Sequence, residues 1–126
     1  MTTLDSGSTP EAMVSLNFSP DGQHLLTATE KHAILVWNTA SRTVEKTLEG
    51  HMGRIRNVAY SPDGLWIVSA SYDNTVRLWN AQTGENVAVL PHNGPVTAVE
   101  FIASTDGITR FVSGSFDGAI RVWEIR

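Results

Sequence analysis

Internal repetition governs how this chain can fold, because a repeat unit must pack against copies of itself. Phe18-Ser19-Pro20-Asp21-Gly22 returns 42 residues later as Tyr60-Ser61-Pro62-Asp63-Gly64. A third version starts at Phe101 and reaches Ser104-Thr105-Asp106-Gly107 after two extra residues. Ile34-Leu35-Val36-Trp37 returns as Val76-Arg77-Leu78-Trp79 and as Ile120-Arg121-Val122-Trp123, with tryptophan spacings of 42 and 44. Gly50-His51 is echoed 41 residues on by Pro91-His92. Three copies of about 42 residues account for all 126.

Each copy reads as strands. The first apolar segment carries Ile55, Val58 and Tyr60 in copy two, and Val96, Val99 and Phe101 in copy three. Pro-Asp-Gly then supplies turn chemistry: proline presets φ, aspartate bonds nearby backbone, and glycine accepts positive φ. In copy two a second apolar run covers Trp66 to Ser71, and Tyr72-Asp73-Asn74 turns the chain. A β-branched run from Thr75 to Trp79, a turn at Ala81 to Gly84 and a fourth strand from Asn86 to Leu90 complete it. Short strands with a turn signal every eight to twelve residues predict a sandwich, a barrel or a propeller. A four-stranded repeat of about 42 residues selects the propeller.

Composition narrows the function classes. Hydrophobic residues make up 41% of the chain, enough for a packed core. A net charge of -4 argues against a general nucleic-acid binder, which needs a basic face for phosphates. The absence of cysteine excludes a disulfide scaffold and a thiolate zinc site, and permits a cytoplasmic location. No apolar run approaches the roughly 18–20 residues that span a bilayer, and the first residues lack the pattern of a signal peptide. His24 and His32 fall in or beside turns and do not converge with the three or four ligands a metal needs. The glycines sit in turns and form no phosphate cradle. No cofactor is expected.

The full pattern runs Gly-His, an alternating strand, Ser-Pro-Asp-Gly, Ser-x-Ser-x-Asp and Val-Arg-Leu-Trp. Over about residues 13–126 it resembles the WD-repeat β-propeller family. The naming tryptophan-aspartate pair departs here, reading Trp37-Asn38, Trp79-Asn80 and Trp123-Glu124. The resemblance implies a structural hydrogen-bond tetrad in two copies: His51, Ser69, Asp73 and Trp79, then His92, Ser113, Asp117 and Trp123. A buried aspartate needs partners. Histidine can donate to it, the strand hydroxyl can accept from histidine, and the indole N–H can close the chain. Copy one keeps Thr27 and Trp37, but Lys31 stands in the aspartate position and no histidine lies near Thr9, so blade one is expected to be the loosest. The same residue types could form a Ser-His-Asp triad. Their recurrence once per copy and the lack of a Gly-x-Ser-x-Gly elbow favour the structural role.

The resemblance also implies a binding face. The loops before the first strand and between the second and third strands gather on one side of the disk. By position that face would show Arg54, Arg56 and Tyr72 from copy two, Thr97 and Phe116 from copy three, and Val14 and Glu30 from copy one. Aromatics and arginine dominate interface hot spots. Arg77 and Arg121 are expected to pack their stems along the sheet with their heads in solvent. The expected function is a non-catalytic scaffold that binds other proteins or peptides through this face. The rival readings are a sugar- or ligand-binding propeller, with Trp66 and the tip aromatics stacking on the ligand, and a hydrolase using His/Ser/Asp.

The expected architecture is all-β, with three four-stranded antiparallel blades at about 13–51, 52–92 and 93–126. Three blades fall short of the four to eight of a closed ring, and open ends would expose apolar faces. Leu48 and Leu90 each lie 11 residues after a tryptophan, whereas only three residues follow Trp123. Thr3-Leu4-Asp5 resembles Thr47-Leu48-Glu49 and could replace the missing strand. The chain is therefore expected to be half of a six-bladed ring formed by a homodimer, with residues 1–12 as a segment whose Thr2–Asp5 portion crosses to the other copy. The alternative is a fragment of a longer propeller.

Overall fold

The computed structural model describes residues 12–125. These form eleven strands and no helix. The first antiparallel sheet contains β1 (Met13–Phe18), β2 (His24–Thr29), β3 (Ile34–Asn38) and β4 (Thr43–Leu48), in that order. The second contains β5 (Ile55–Tyr60), β6 (Trp66–Ser71), β7 (Thr75–Asn80) and β8 (Asn86–Pro91). The third contains β9 (Val96–Ile102), β10 (Thr109–Ser115) and β11 (Ile120–Ile125), ordered β11-β10-β9. The chain is all-β, in three meandering blades of four, four and three strands. The expected fourth strand of blade three, drawn from Thr2–Asp5, lies outside the described residues.

The repeated turn explains the recurrence of Ser-Pro-Asp-Gly. Ser19 donates its hydroxyl to Asp21 Oδ1 at 2.6 Å, and Asp21 Oδ1 also accepts the Gln23 N–H at 2.9 Å. The Ser19 oxygen accepts the His24 N–H at 3.0 Å, which starts β2. Blade two reproduces this with Ser61, Asp63, Leu65 and Trp66. Gly22 and Gly64 close these turns at φ 73° and 75°, a conformation that disfavours any side chain. In the third copy the insertion changes the turn. There Arg110 grips Asp106 with both nitrogens, at 3.1 and 2.8 Å, and holds its carboxyl down at about 2.

The core lies between the blades. Leu26, Ala28, Ile34, Val36 and Leu48 of blade one pack against Ile55, Val58, Ile67 and Trp79 of blade two. Val68, Ala70, Val76 and Leu78 of blade two pack against Val96, Val99 and Phe111 of blade three. Phe111 also contacts Phe101 and stacks on Trp123, with ring centroids 5.6 and 6.4 Å apart. Burying each of these larger aliphatic side chains contributes roughly 1.5–3 kcal/mol, so the inter-blade seams hold the molecule together. Asparagine stitches each seam: Asn17 Oδ1 accepts the Tyr60 N–H at 2.9 Å, and Asn57 Oδ1 accepts the Val99 N–H at 3.2 Å.

Candidate functional site

In blade two, His51, Ser69, Asp73 and Trp79 form one continuous hydrogen-bonded chain. His51 Nδ1 lies 2.8 Å from Asp73 Oδ2, and His51 Nε2 lies 2.6 Å from Ser69 Oγ. The Trp79 indole N–H donates to Ser69 Oγ at 2.9 Å. The indole can only donate, which leaves the Ser69 hydrogen free for His51 Nε2. The ring is then neutral with its proton on Nδ1, donated to Asp73. Ser69 therefore donates to His51, the reverse of the direction expected from the residue types alone. Burial pushes the His51 pKa down, against the opposing pull of Asp73, which agrees with a neutral ring. Burial would raise Asp73, but hydrogen bonds from Thr75, His51 and the Met52 amide outweigh it, and the carboxyl sits below its ordinary value.

Two further residues complete this site. Thr75 donates its hydroxyl to Asp73 Oδ1 at 2.5 Å and its amide to the same oxygen at 2.9 Å. Ser71 Oγ donates to the Gly53 carbonyl and accepts the Asp73 N–H, both at 3.1 Å. A Cβ at Gly53 would come within 2.7 Å of the Asp73 amide, so the close approach requires glycine. The recurring His-x-Gly spacing, His51 to Gly53 and His92 to Gly94, was the overlooked signal in the sequence.

Blade three brings its four residues together less tightly. His92 Nε2 lies 2.7 Å from Ser113 Oγ, which also accepts the Trp123 N–H at 2.8 Å. His92 Nδ1, however, is 3.8 Å from Asp117 Oδ2, too long for a hydrogen bond, and has no partner although the side chain is fully buried. Asp117 instead takes the Ala119 and Asn93 amides at 2.7 and 2.9 Å. Blade one retains only the Trp37 to Thr27 bond, at 2.9 Å.

The loops meet within each blade. The amide before each aspartate position bonds the loop ahead of the first strand: Glu30 to the Ala12 carbonyl, Tyr72 to Arg54 and Phe116 to Pro95, at 2.8–3.0 Å. Val14, Arg56 and Thr97 occupy one equivalent place, the extra residue of a β-bulge in each blade. A bulge re-aims its side chain, and strict alternation could not show this. Arg54 and Arg56 are exposed, and Thr97 is half-buried, its hydroxyl reaching the Gly114 carbonyl at 3.4 Å. Tyr72 is 39% exposed and Phe116 70%, and their rings meet across the seam with centroids 5.9 Å apart. The sequence named both aromatics but gave no sign that they touch.

Two expectations need correction. Arg77 does not extend its head into solvent: Nη1 donates to Asn86 Oδ1 at 2.6 Å, and Nε is buried without a partner. Trp66 does not stand out as a bare turn-side aromatic: it is half-buried, packed against the core between blades two and three. His24 is held at 3.1 Å by Glu45, and His32 takes a left-handed turn conformation at φ 69°.

The family described as WD domain, G-beta repeat matches residues 2–38, 42–80 and 84–124. The chain belongs to the WD-repeat family. Its similarity to known proteins includes a poly(A)+ RNA export protein of Schizosaccharomyces pombe, 28% identical over 120 residues. The match covers 93% of this chain and 34% of that protein, so the chain spans about a third of the relative's length. A family of this kind is generally a non-enzymatic interaction scaffold. The His/Ser/Asp sets here suit that role, since Ser69 has no exposed surface and Ser113 almost none.

Proposed function

We propose that this WD-repeat protein is a non-catalytic scaffold that binds a peptide or protein segment on the loop face of blades two and three. The contact between Tyr72 and Phe116 carries this reading. Two aromatics at successive turn tips form one exposed platform over a rigid seam, and exposed aromatic clusters flanked by arginine are typical of interface anchors. The blade-two tetrad, and in blade three the Asn93 amide bonded to Asp117, tie the loops beneath in place, so little ordering is needed on binding. Arg54 and Arg56, on the strand side of the same loops, suit a partner that pairs an apolar side chain with a carboxylate. The net charge of -4 favours a protein partner over bare phosphate backbone on this reading.

Selection of a random peptide library against the chain tests the reading. Enriched peptides should contain acidic residues beside an apolar anchor. They should lose binding at least tenfold to a variant carrying Tyr72→Ala, Phe116→Ala, Arg54→Ala and Arg56→Ala, whose melting temperature stays near that of the parent. Equal binding by the variant would remove the face from consideration.

A further inference from the structure

We infer that Asn93-Gly94, in the loop that enters blade three, is a site of spontaneous covalent modification. There the asparagine side chain loses ammonia and the main chain is rerouted through an isoaspartate. This goes beyond the loop-face reading and does not depend on it.

The chain has seven asparagines, and Asn93 is the one followed by glycine. Glycine has no Cβ to hinder its nitrogen from approaching the preceding side chain. Hydrogen bonding singles out the same residue. The side chains of Asn17, Asn38, Asn57, Asn80 and Asn86 are all engaged. Among the described residues, no hydrogen bond engages the exposed Asn93 side chain or the Gly94 amide. Four Asp-Gly steps could undergo the related ring closure, and each is held. The Gly22, Gly64 and Gly118 amides donate to the carbonyls of Ser19, Ser61 and Ser115, and the Gly107 amide to Ser104 Oγ, at 2.9–3.1 Å. An ionised carboxylate is also a poorer electrophile than a carboxamide.

The reaction needs only water. Hydroxide takes the proton of the Gly94 nitrogen, which attacks Asn93 Cγ. That C–N bond forms, the Cγ–Nδ2 bond breaks, and Nδ2 leaves as ammonia with a proton from water. The cyclic imide then takes up water at one of its two carbonyls. Cleavage at Cγ gives aspartate. Cleavage at the main-chain carbonyl gives isoaspartate, which puts one extra carbon in the backbone.

The altered bond lies among the fastenings of its loop. The Asn93 amide donates to Asp117 Oδ2 at 2.9 Å, the Gly94 carbonyl accepts the Ser115 hydroxyl at 3.1 Å, and the Pro95 carbonyl accepts the Phe116 amide at 2.9 Å. A Cβ at Gly94 would come within 3.2 Å of the Asp117 amide, so a longer backbone has little room here. Either product also sets a new carboxylate near Asp117, and like charges repel. Modification therefore loosens the Phe116 tip from the loop beneath it.

Incubation of the folded protein in mildly alkaline buffer, with peptide mapping by mass spectrometry, tests this. Aspartate and isoaspartate should accumulate at position 93, with ammonia released in equal amount, while the other asparagines and the Asp-Gly steps stay intact. Asn93→Gln, which must close a larger ring, should slow ammonia release at least tenfold. The denatured chain sets the time scale. If Asn93 keeps its amide in the fold over the period in which the denatured chain loses it, the fold protects the site and the inference is overturned. Loss spread evenly over the asparagines would overturn it as well. Asn93→Asp carries the new charge without the extra carbon, so the isoaspartate form should melt below that variant. Equal melting temperatures would refute the loosening of the loop.

Discussion

Blades two and three carry the same four tetrad residues, yet one site is closed and the other is not. His51 reaches Asp73 at 2.8 Å, whereas His92 stops 3.8 Å from Asp117. One neighbour differs between the two sites. Thr75 pins the Asp73 carboxylate with a hydroxyl at 2.5 Å and an amide at 2.9 Å. Blade three has Ala119 at that position and can offer only the amide. Blade two is also covered on both faces, while the β11 face of blade three is bare at Ile120 and Val122. Four correct residue types do not make a closed network. The residue that orients the carboxylate, and the packing that holds the sheet, decide whether the last bond forms.

The largest expected effect separates the two aspartates. Asp73→Ala should cost about 2 kcal/mol by leaving a buried histidine donor unpaired. Asp117→Ala should cost distinctly less, because its main partners are amides that water can reach. Chemical denaturation of both variants measures the contrast, and equal losses would break it.

A smaller effect tests the assignment to Thr75. Thr75→Ala should lose about 1 kcal/mol, the net worth of a typical hydrogen bond, since the pair is only partly buried. Ala119→Thr should move the other way, since a new hydroxyl can turn Asp117 toward His92. Thermal melts of the two variants and their parent would show opposite signs. Destabilisation by both changes would mean that packing, not the carboxylate, separates the blades.

The smallest effect is in pH. His51 and His92 both have pKa values lowered chiefly by burial. The unfolded chain therefore takes up protons first as pH falls through about 6.5, while the native state resists. Stability should be full above that value and decline below it, by under about 1 kcal/mol per histidine at pH 6. Asp73, lowered below its ordinary value, adds a further loss only in stronger acid. Replacing His51 by Gln should flatten the slope between pH 7.5 and 6. An unchanged slope would show that the ring does not stay neutral in the fold.

The sequence by itself determined the repeat, the order of strands, the Ser-Pro-Asp-Gly turns and the identity of the buried tryptophans. Each of these is local: a turn is set by the residues within it, and a strand by alternation over a few positions. Trp66–Ser71 emerged with the bounds that its apolar run suggested. Other features were invisible for the same reason. The bulges at Val14, Arg56 and Thr97 depend on registry between two strands, the meeting of Tyr72 with Phe116 on the angle between two sheets, and the burial of Arg77 on a neighbour nine residues away. Equivalence in sequence also hid a difference in environment: Val58 and Leu16 read alike, and only the seam formed when blades pack makes one core and the other surface. Tertiary structure decided these because packing joins residues that no local rule connects.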